Sequence, residues 1–216
     1  MHSRARLVLD MLLAVLIVAT VSTGSVEELH HEWLGIAAIV LAITHGATAA
    51  PRSARKLGHT HSGRTRARSC VGAALAVLTC AGFIAQFISA LVLSKYVFFW
   101  LPPLGGSQLA RSVHLACCYW TFALGFLHAG FQLEPLASHA LSKQRWLKVA
   151  LIVACLAGFA SFVQLGLGPY LLLQVAFAAP DLARPTILAI LEYCLTGLLF
   201  STIGGAISYA LRLRAA

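Results

Sequence analysis

The sequence predicts an all-α integral membrane protein, a single domain of six bundled helices. Three observations carry that expectation. The chain of 216 residues is 59% hydrophobic and only 11% charged, with a mean hydropathy of +0.83, whereas soluble domains are about half apolar and a quarter charged. Six apolar segments are long enough to cross a bilayer. The basic residues gather between those segments rather than along one face, which is the charge signature of membrane topology.

The segments follow in order. The first, 7–24, has Arg4 and Arg6 before its apolar run, as a signal peptide would. It lacks a small-x-small cleavage site, carries Asp10 and is long enough to span, so it is read as a helix that stays. The second covers 31–50, and PRSARKLGHTHSGRTRAR (51–68) follows as a polar, basic, solvated loop beside the lipid, with His59 and His61 in it. The third covers 70–93. KYVFFWLPPLGG (95–106) is apolar, aromatic, broken by proline and too short to span, so it is placed at the interface over the bundle. The fourth span is 108–132 and the fifth 147–168. PYLLLQVAFAAP (169–180) is a second interfacial segment, and both could shield a site from water. The sixth span is 185–211.

Charge sets the orientation. With the N-terminus in the cytoplasm, 13 of the 16 Lys and Arg fall inside, and only Lys95, Arg111 and Arg184 fall outside. That bias favours an even number of spans, with both termini cytoplasmic. A formal charge of +9 therefore reads as a topology signal, and nucleic acid is excluded as a partner. The six cysteines lie in or beside apolar spans and show neither a disulfide framework nor a C-x-x-C-H haem-attachment motif. They read as small buried hydrophobes.

Two stretches repeat one pattern. HEWLGIAAIVLAITH runs from His31 to His45, and HLACCYWTFALGFLH from His114 to His128. Each separates two histidines by 14 residues, which is four turns at the 3.5-residue period of supercoiled helices, so both imidazoles share one face. Along the axis they lie roughly 21 Å apart, too far to share a metal ion. One span separates the two helices, so they run parallel, and His31 comes level with His114 and His45 with His128. Two imidazoles from facing helices are the axial ligands of a six-coordinate b-type haem. Between them, Gly35, Ala38 and Ala42 on one helix and Cys118, Thr121 and Gly125 on the other leave room for a flat macrocycle.

Each feature has a plainer explanation. A lone intramembrane histidine usually bonds to a neighbouring helix, and small residues also serve close helix packing. Four histidines in register favour haem over either. Zinc fits less well, because it takes three or four protein ligands and each level offers two; Glu32 and the pair Cys117 and Cys118 are the nearby candidates to complete a set. His30 is rotated off the face, and His2, His59, His61 and His139 are terminal or loop residues. Arg111, one turn outward of His114, can pair with the propionates of the outer haem or snorkel to headgroups. Trp33 and Trp120 read as interfacial or core aromatics. Asp10 and Glu192 are intramembrane acids whose default reading is a structural hydrogen bond. The first two spans and the next two form similar hairpins, giving a dihaem four-helix core over 1–132. Residues 133–216 read as an additional hairpin without spanning histidines, covering one side.

DMLLAVLIVATVSTGS with HEWLGIAAIVLAITHGA, and FISALVLSKYVFFWLPPLGGSQLARSVHLACCYWTFALGFLHAG after them, resemble a family of short bacterial b-type membrane cytochromes, a domain of unknown function associated with flavinylated partners. The likeness covers about the first 132 residues. More distantly, paired His-x13-His helices are similar to cytochrome b, the haem subunits of membrane dehydrogenases and ferric reductases. The resemblance implies bis-histidine haem b at His31, His45, His114 and His128, placement in the bacterial cytoplasmic membrane, and electron transfer with separate, often flavin-carrying partners. Unlike ferric reductases, the chain has no nucleotide-binding segment and no G-x-G-x-x-G after a strand.

The expected function is a dihaem cytochrome relaying electrons between a quinone pool or dehydrogenase and a partner redox protein. It would act as a subunit of an oxidoreductase rather than as an enzyme alone. One rival is a quinone or metal reductase with its own substrate site, walled by 95–106 and 169–180. The other is a haem-free transporter or assembly protein using histidine and the two acids.

Overall fold

In a computed structural model, residues 3–23, 28–58, 63–102, 105–175 and 184–213 are described, and they form seven helices without strands. These are α1 (Ser3–Thr23), α2 (Glu28–Gly58), α3 (Gly63–Leu93), α4 (Ser107–Lys143), α5 (Arg145–Gln164), a single short turn α6 (Leu167–Leu171) and α7 (Thr186–Leu213). Four contain stretches long and apolar enough to cross a membrane: Glu28–Pro51, Arg66–Leu93, Arg145–Gln164 and Thr186–Leu213. Leu7–Thr23 is apolar but shorter. Large apolar side chains such as Val149, Ile152, Leu156 and Phe159 of α5 point outward, as lipid contact allows and water would not.

Two boundaries depart from the sequence expectation. The segment expected as a basic loop is mostly helical, because α2 continues through Pro51 to Gly58 and α3 already begins at Gly63. Alanine, arginine and lysine are good helix formers outside the bilayer as well as inside it. His59 and His61 lie outside the described residues, as does His2. Likewise α4 does not stop at 132 but runs through Pro135 to Lys143, so His139 is an exposed helical residue rather than a loop residue. A hydropathy boundary marks where the lipid ends, not where the helix ends.

Helices α1 to α4 form a ring: α1 packs on α2, α2 on α3, α3 on α4, and α4 on α1. Across the diagonals the backbones stay apart. Among the described residues, no Cα of α2 comes within 8 Å of one in α4, nor of α1 in α3. The middle of the ring is therefore held open by side chains.

The final hairpin covers the ring unequally. Helix α5 lies outside, whereas α7 packs along α4 and also reaches α1 and α3. Glycine makes that approach possible. A Cβ on Gly204 would collide with the backbone of Leu127, and one on Gly130 with the backbone of Ser201. Close helix packing through small residues is the usual device where lipid supplies no hydrophobic contrast. Beside that seam Phe122, 1% exposed, packs against Phe126, Tyr193 and Phe200 with ring centres 4.9, 5.8 and 6.3 Å away.

At the end of the bundle near both termini, Glu134 is buried between α3, α4 and α7. Arg212 donates to it at 2.7 Å and Arg68 lies 3.9 Å away. Sequence reading missed this acid, having ended the fourth span two residues before it.

Candidate cofactor site

The open middle of the ring holds a cavity of ≈ 400 Å³ at the end away from the termini, within the usual range for cofactor and small-molecule sites. His31 of α2 and His114 of α4 face each other across it. Their ring centres are 6.0 Å apart and their planes are inclined by 75°. Metal–nitrogen bonds of about 2 Å on each side would put two trans imidazole centres roughly 6 Å apart. Two helices whose backbones do not touch thus present two rings at a centre-to-centre spacing compatible with a shared metal ion.

The ring nitrogens are oriented as well as spaced. His31 Nδ1 lies 2.9 Å from the Thr20 carbonyl, which only accepts, so Nδ1 carries the proton. Ser89 Oγ gives its own proton to the carbonyl of Ala85 at 2.8 Å or Gln86 at 2.9 Å. It therefore accepts from His114 Nδ1, 3.1 Å away. These tautomers are assigned from the network. Both Nε2 atoms are left with a free lone pair, which is how metal-binding histidines are usually held. The non-ligand helices α1 and α3 supply the anchors, and α2 and α4 supply the rings.

The walls suit a flat, mainly apolar group. Ile17, Ile36, Phe83 and Phe87 line the cavity, with Ala38 and Ala90 keeping it wide. A Cβ added at Gly35 would meet only the Thr20 methyl, at 3.9 Å, so this glycine is not required by contact with another helix. Gly125 lies between the two histidine levels of α4, and its Cβ would make ordinary contacts at 3.9 Å with Ile17 and Thr79. Thr121 Oγ1, on the cavity wall, is buried without a hydrogen-bond partner. Arg111 also lines the cavity, close to His114.

A strap closes the outer end. Glu32 accepts the backbone N–H groups of Lys95, Tyr96 and Val97 at 2.8, 3.2 and 2.9 Å, and the Ser94 hydroxyl at 2.7 Å. Lys95 Nζ adds a pair to Glu28 at 2.7 Å. The strap carries Val97 and Phe98 over the cavity. Glu32 is thereby committed to the strap and not to a metal, and among the described residues no group of three or more His, Cys, Asp or Glu could hold one. On the other apolar segment, Leu171 accepts a hydrogen bond from Trp120 Nε1 at 2.9 Å.

The second histidine level is built differently. His45 Nδ1 lies 2.6 Å from Asp10 Oδ1, with side chains 33% and 47% exposed. His128 lies within electrostatic reach of both, and its Nδ1 is buried without a partner. Asp10 is thus a ligand-anchoring candidate that sequence reading left as a generic hydrogen-bonding acid. Glu192 pairs with Arg184. His30 is exposed and does not line the cavity.

The geometry therefore offers one facing imidazole pair, His31 and His114, beside a cavity, and a second level at which His45 and His128 influence each other electrostatically. No protein-family model, curated protein or solved structure matches the chain.

Proposed function

We propose that this chain is a dihaem b-type membrane cytochrome of six spans. It would relay single electrons between a quinone pool or dehydrogenase on one side and a separate, often flavin-carrying, redox protein on the other. His31 and His114 would hold the outer haem, and His45 and His128 the inner one. When bound, the haem supplies reversible one-electron iron chemistry. The chain's own part is ligation, burial and orientation. His31 and His114 are fixed through Nδ1 by Thr20 and Ser89. The apolar walls exclude water, Arg111 provides a cation for the propionates, and the Glu32-held strap covers the outer end.

One observation carries the reading: imidazoles 6.0 Å apart beside a cavity, on two helices whose described Cα atoms stay more than 8 Å apart. Both rings do make the bond to a neighbouring helix that a structural histidine would make, His31 to Thr20 of α1 and His114 to Ser89 of α3, but that bond uses Nδ1 alone and leaves each Nε2 available for a ligand. On this reading the first 132 residues would belong with short bacterial membrane cytochromes, and the chain would sit in the cytoplasmic membrane. The basic residues support cytoplasmic termini.

The test is a reduced-minus-oxidised spectrum of the purified chain with haem quantified per polypeptide. Close to two b haems are expected. A colourless protein after haem-replete expression refutes the proposal.

A further inference from the structure

The two histidine levels have unlike anchors. The outer rings give their Nδ1 protons to neutral acceptors, the Thr20 carbonyl and the Ser89 hydroxyl. At the inner level His45 Nδ1 sits 2.6 Å from a carboxylate oxygen of Asp10. His45 is the one inner ring with a described anchor, because His128 Nδ1 has none. Asp10 is 47% exposed on an apolar helix, where lipid gives a carboxylate reason enough to find a partner. The choice of His45 as that partner has a consequence for the ring.

A carboxylate on the far nitrogen fixes the ring and makes its ligating nitrogen a stronger electron donor than a neutral acceptor does. Stronger donation favours the oxidised metal and lowers its reduction potential, as outer hydrogen bonding does in haem sites generally. The guanidiniums of Arg68 and Arg212, at the same end of the bundle, are engaged by Glu134. At the outer level, Arg111 lines the cavity wall.

We infer that Asp10 is the positioning residue of the inner pair: it aims His45 Nε2 into the bundle and sets the inner centre's reduction potential below the outer one. This rests on the dihaem reading and deepens it, since one cofactor type would then have two potentials set by the hydrogen-bond partners of its ligands. At equilibrium a single electron would reside on the outer level.

The experiment is a redox titration of the haem-loaded full chain, with wild type, Asp10→Asn, Asp10→Glu and Ser89→Ala compared at matched haem content. In Asp10→Asn the lower-potential component is expected to rise by a tenfold change in its ferric-to-ferrous equilibrium, about 59 mV for a one-electron couple. The higher component stays in place. Asp10→Glu, which keeps a carboxylate, returns the lower component towards wild type. Ser89→Ala moves only the higher one. The low-spin ferric resonance of one centre should change in Asp10→Asn while the other is unaltered. A purely structural role would move both components together or neither. The inference is overturned if Asp10→Asn keeps two haems and the lower potential does not move, if the higher one moves instead, or if haem is lost and Asp10→Glu does not restore it. Should Asp10→Asn fail to accumulate, Asp10→Glu is read alone, and a shift confined to the lower component is required. Wild type without two haems would instead refute the dihaem reading itself.

Discussion

Gly35 and Gly204 look alike in sequence, yet the structure requires opposite outcomes when each gains a side chain. At Gly35 a new Cβ meets a single methyl carbon at 3.9 Å, an ordinary contact, on the wall of the cavity. Gly35→Ala therefore keeps the packing and removes the backbone freedom of a mid-helix glycine, a gain of about 0.5–1 kcal/mol. At Gly204 a new Cβ would enter the Leu127 backbone. Helices α4 and α7 must then separate, and overpacking of this kind costs about 1–3 kcal/mol. Gly35→Leu goes further by filling the space a macrocycle would use while leaving the helix contacts intact. Thermal unfolding in detergent should place Gly35→Ala at or above wild type and Gly204→Ala below it. Haem analysis of Gly35→Leu should fall from two per chain towards one. If Gly35→Leu folds and retains both haems, the cavity beside His31 is not a haem site. If Gly35→Ala destabilises as strongly as Gly204→Ala, the gap between α2 and α4 is a packing seam and not a pocket.

Other outcomes follow from the same geometry. Replacing His114 with Ala should remove one haem, and replacing His45 with Ala should remove the other, each leaving its companion spectrum. Equal loss of both in either variant would mean that the levels are not independent. Glu134→Ala removes the shared partner of Arg68 and Arg212, and breaking a fully buried pair costs about 3–5 kcal/mol. Here the arginines are 35% and 47% exposed and can turn to water or headgroups, so a loss of about 1–3 kcal/mol is expected in denaturant unfolding. Glu32→Ala should release the strap and speed reduction of the outer centre by a water-soluble, membrane-impermeant reductant, with haem content unchanged. An unaltered rate would show that the strap does not limit access.

The levelling of His31 with His114 was legible because it depended on two exact periods. Fourteen residues return a helix to the same face, and one intervening span restores its direction. His31 and His114 accordingly meet at one level, at 6.0 Å. What escaped was every partner on the other helices. Ser89 under His114 and Asp10 under His45 depend on how α3 and α1 rotate about their own axes. In water that rotation is written in the contrast between apolar and polar faces. In lipid both faces are apolar, and the contrast is gone. Helix ends were lost for a related reason: Pro51 and Pro135 mark a change of surroundings, and α2 and α4 continue past them. The central place of α7 was readable in principle from Gly197 and Gly204, but its lack of histidine drew it to the periphery of the sequence reading.

The empty diagonal between α2 and α4 has a consequence for how the molecule comes together. The first hairpin clasps itself, α1 against α2, while its grip on the remaining helices is narrower, and α2 and α4 keep their backbones apart. The third, fourth and seventh helices already form a closed body through their glycine seam. The leading hairpin, although made first on the ribosome, is then the piece that seats last, and whatever fills the middle acts as its rivet. Protease digestion of the first hairpin should accordingly be fast in haem-starved cells and slow in haem-fed ones.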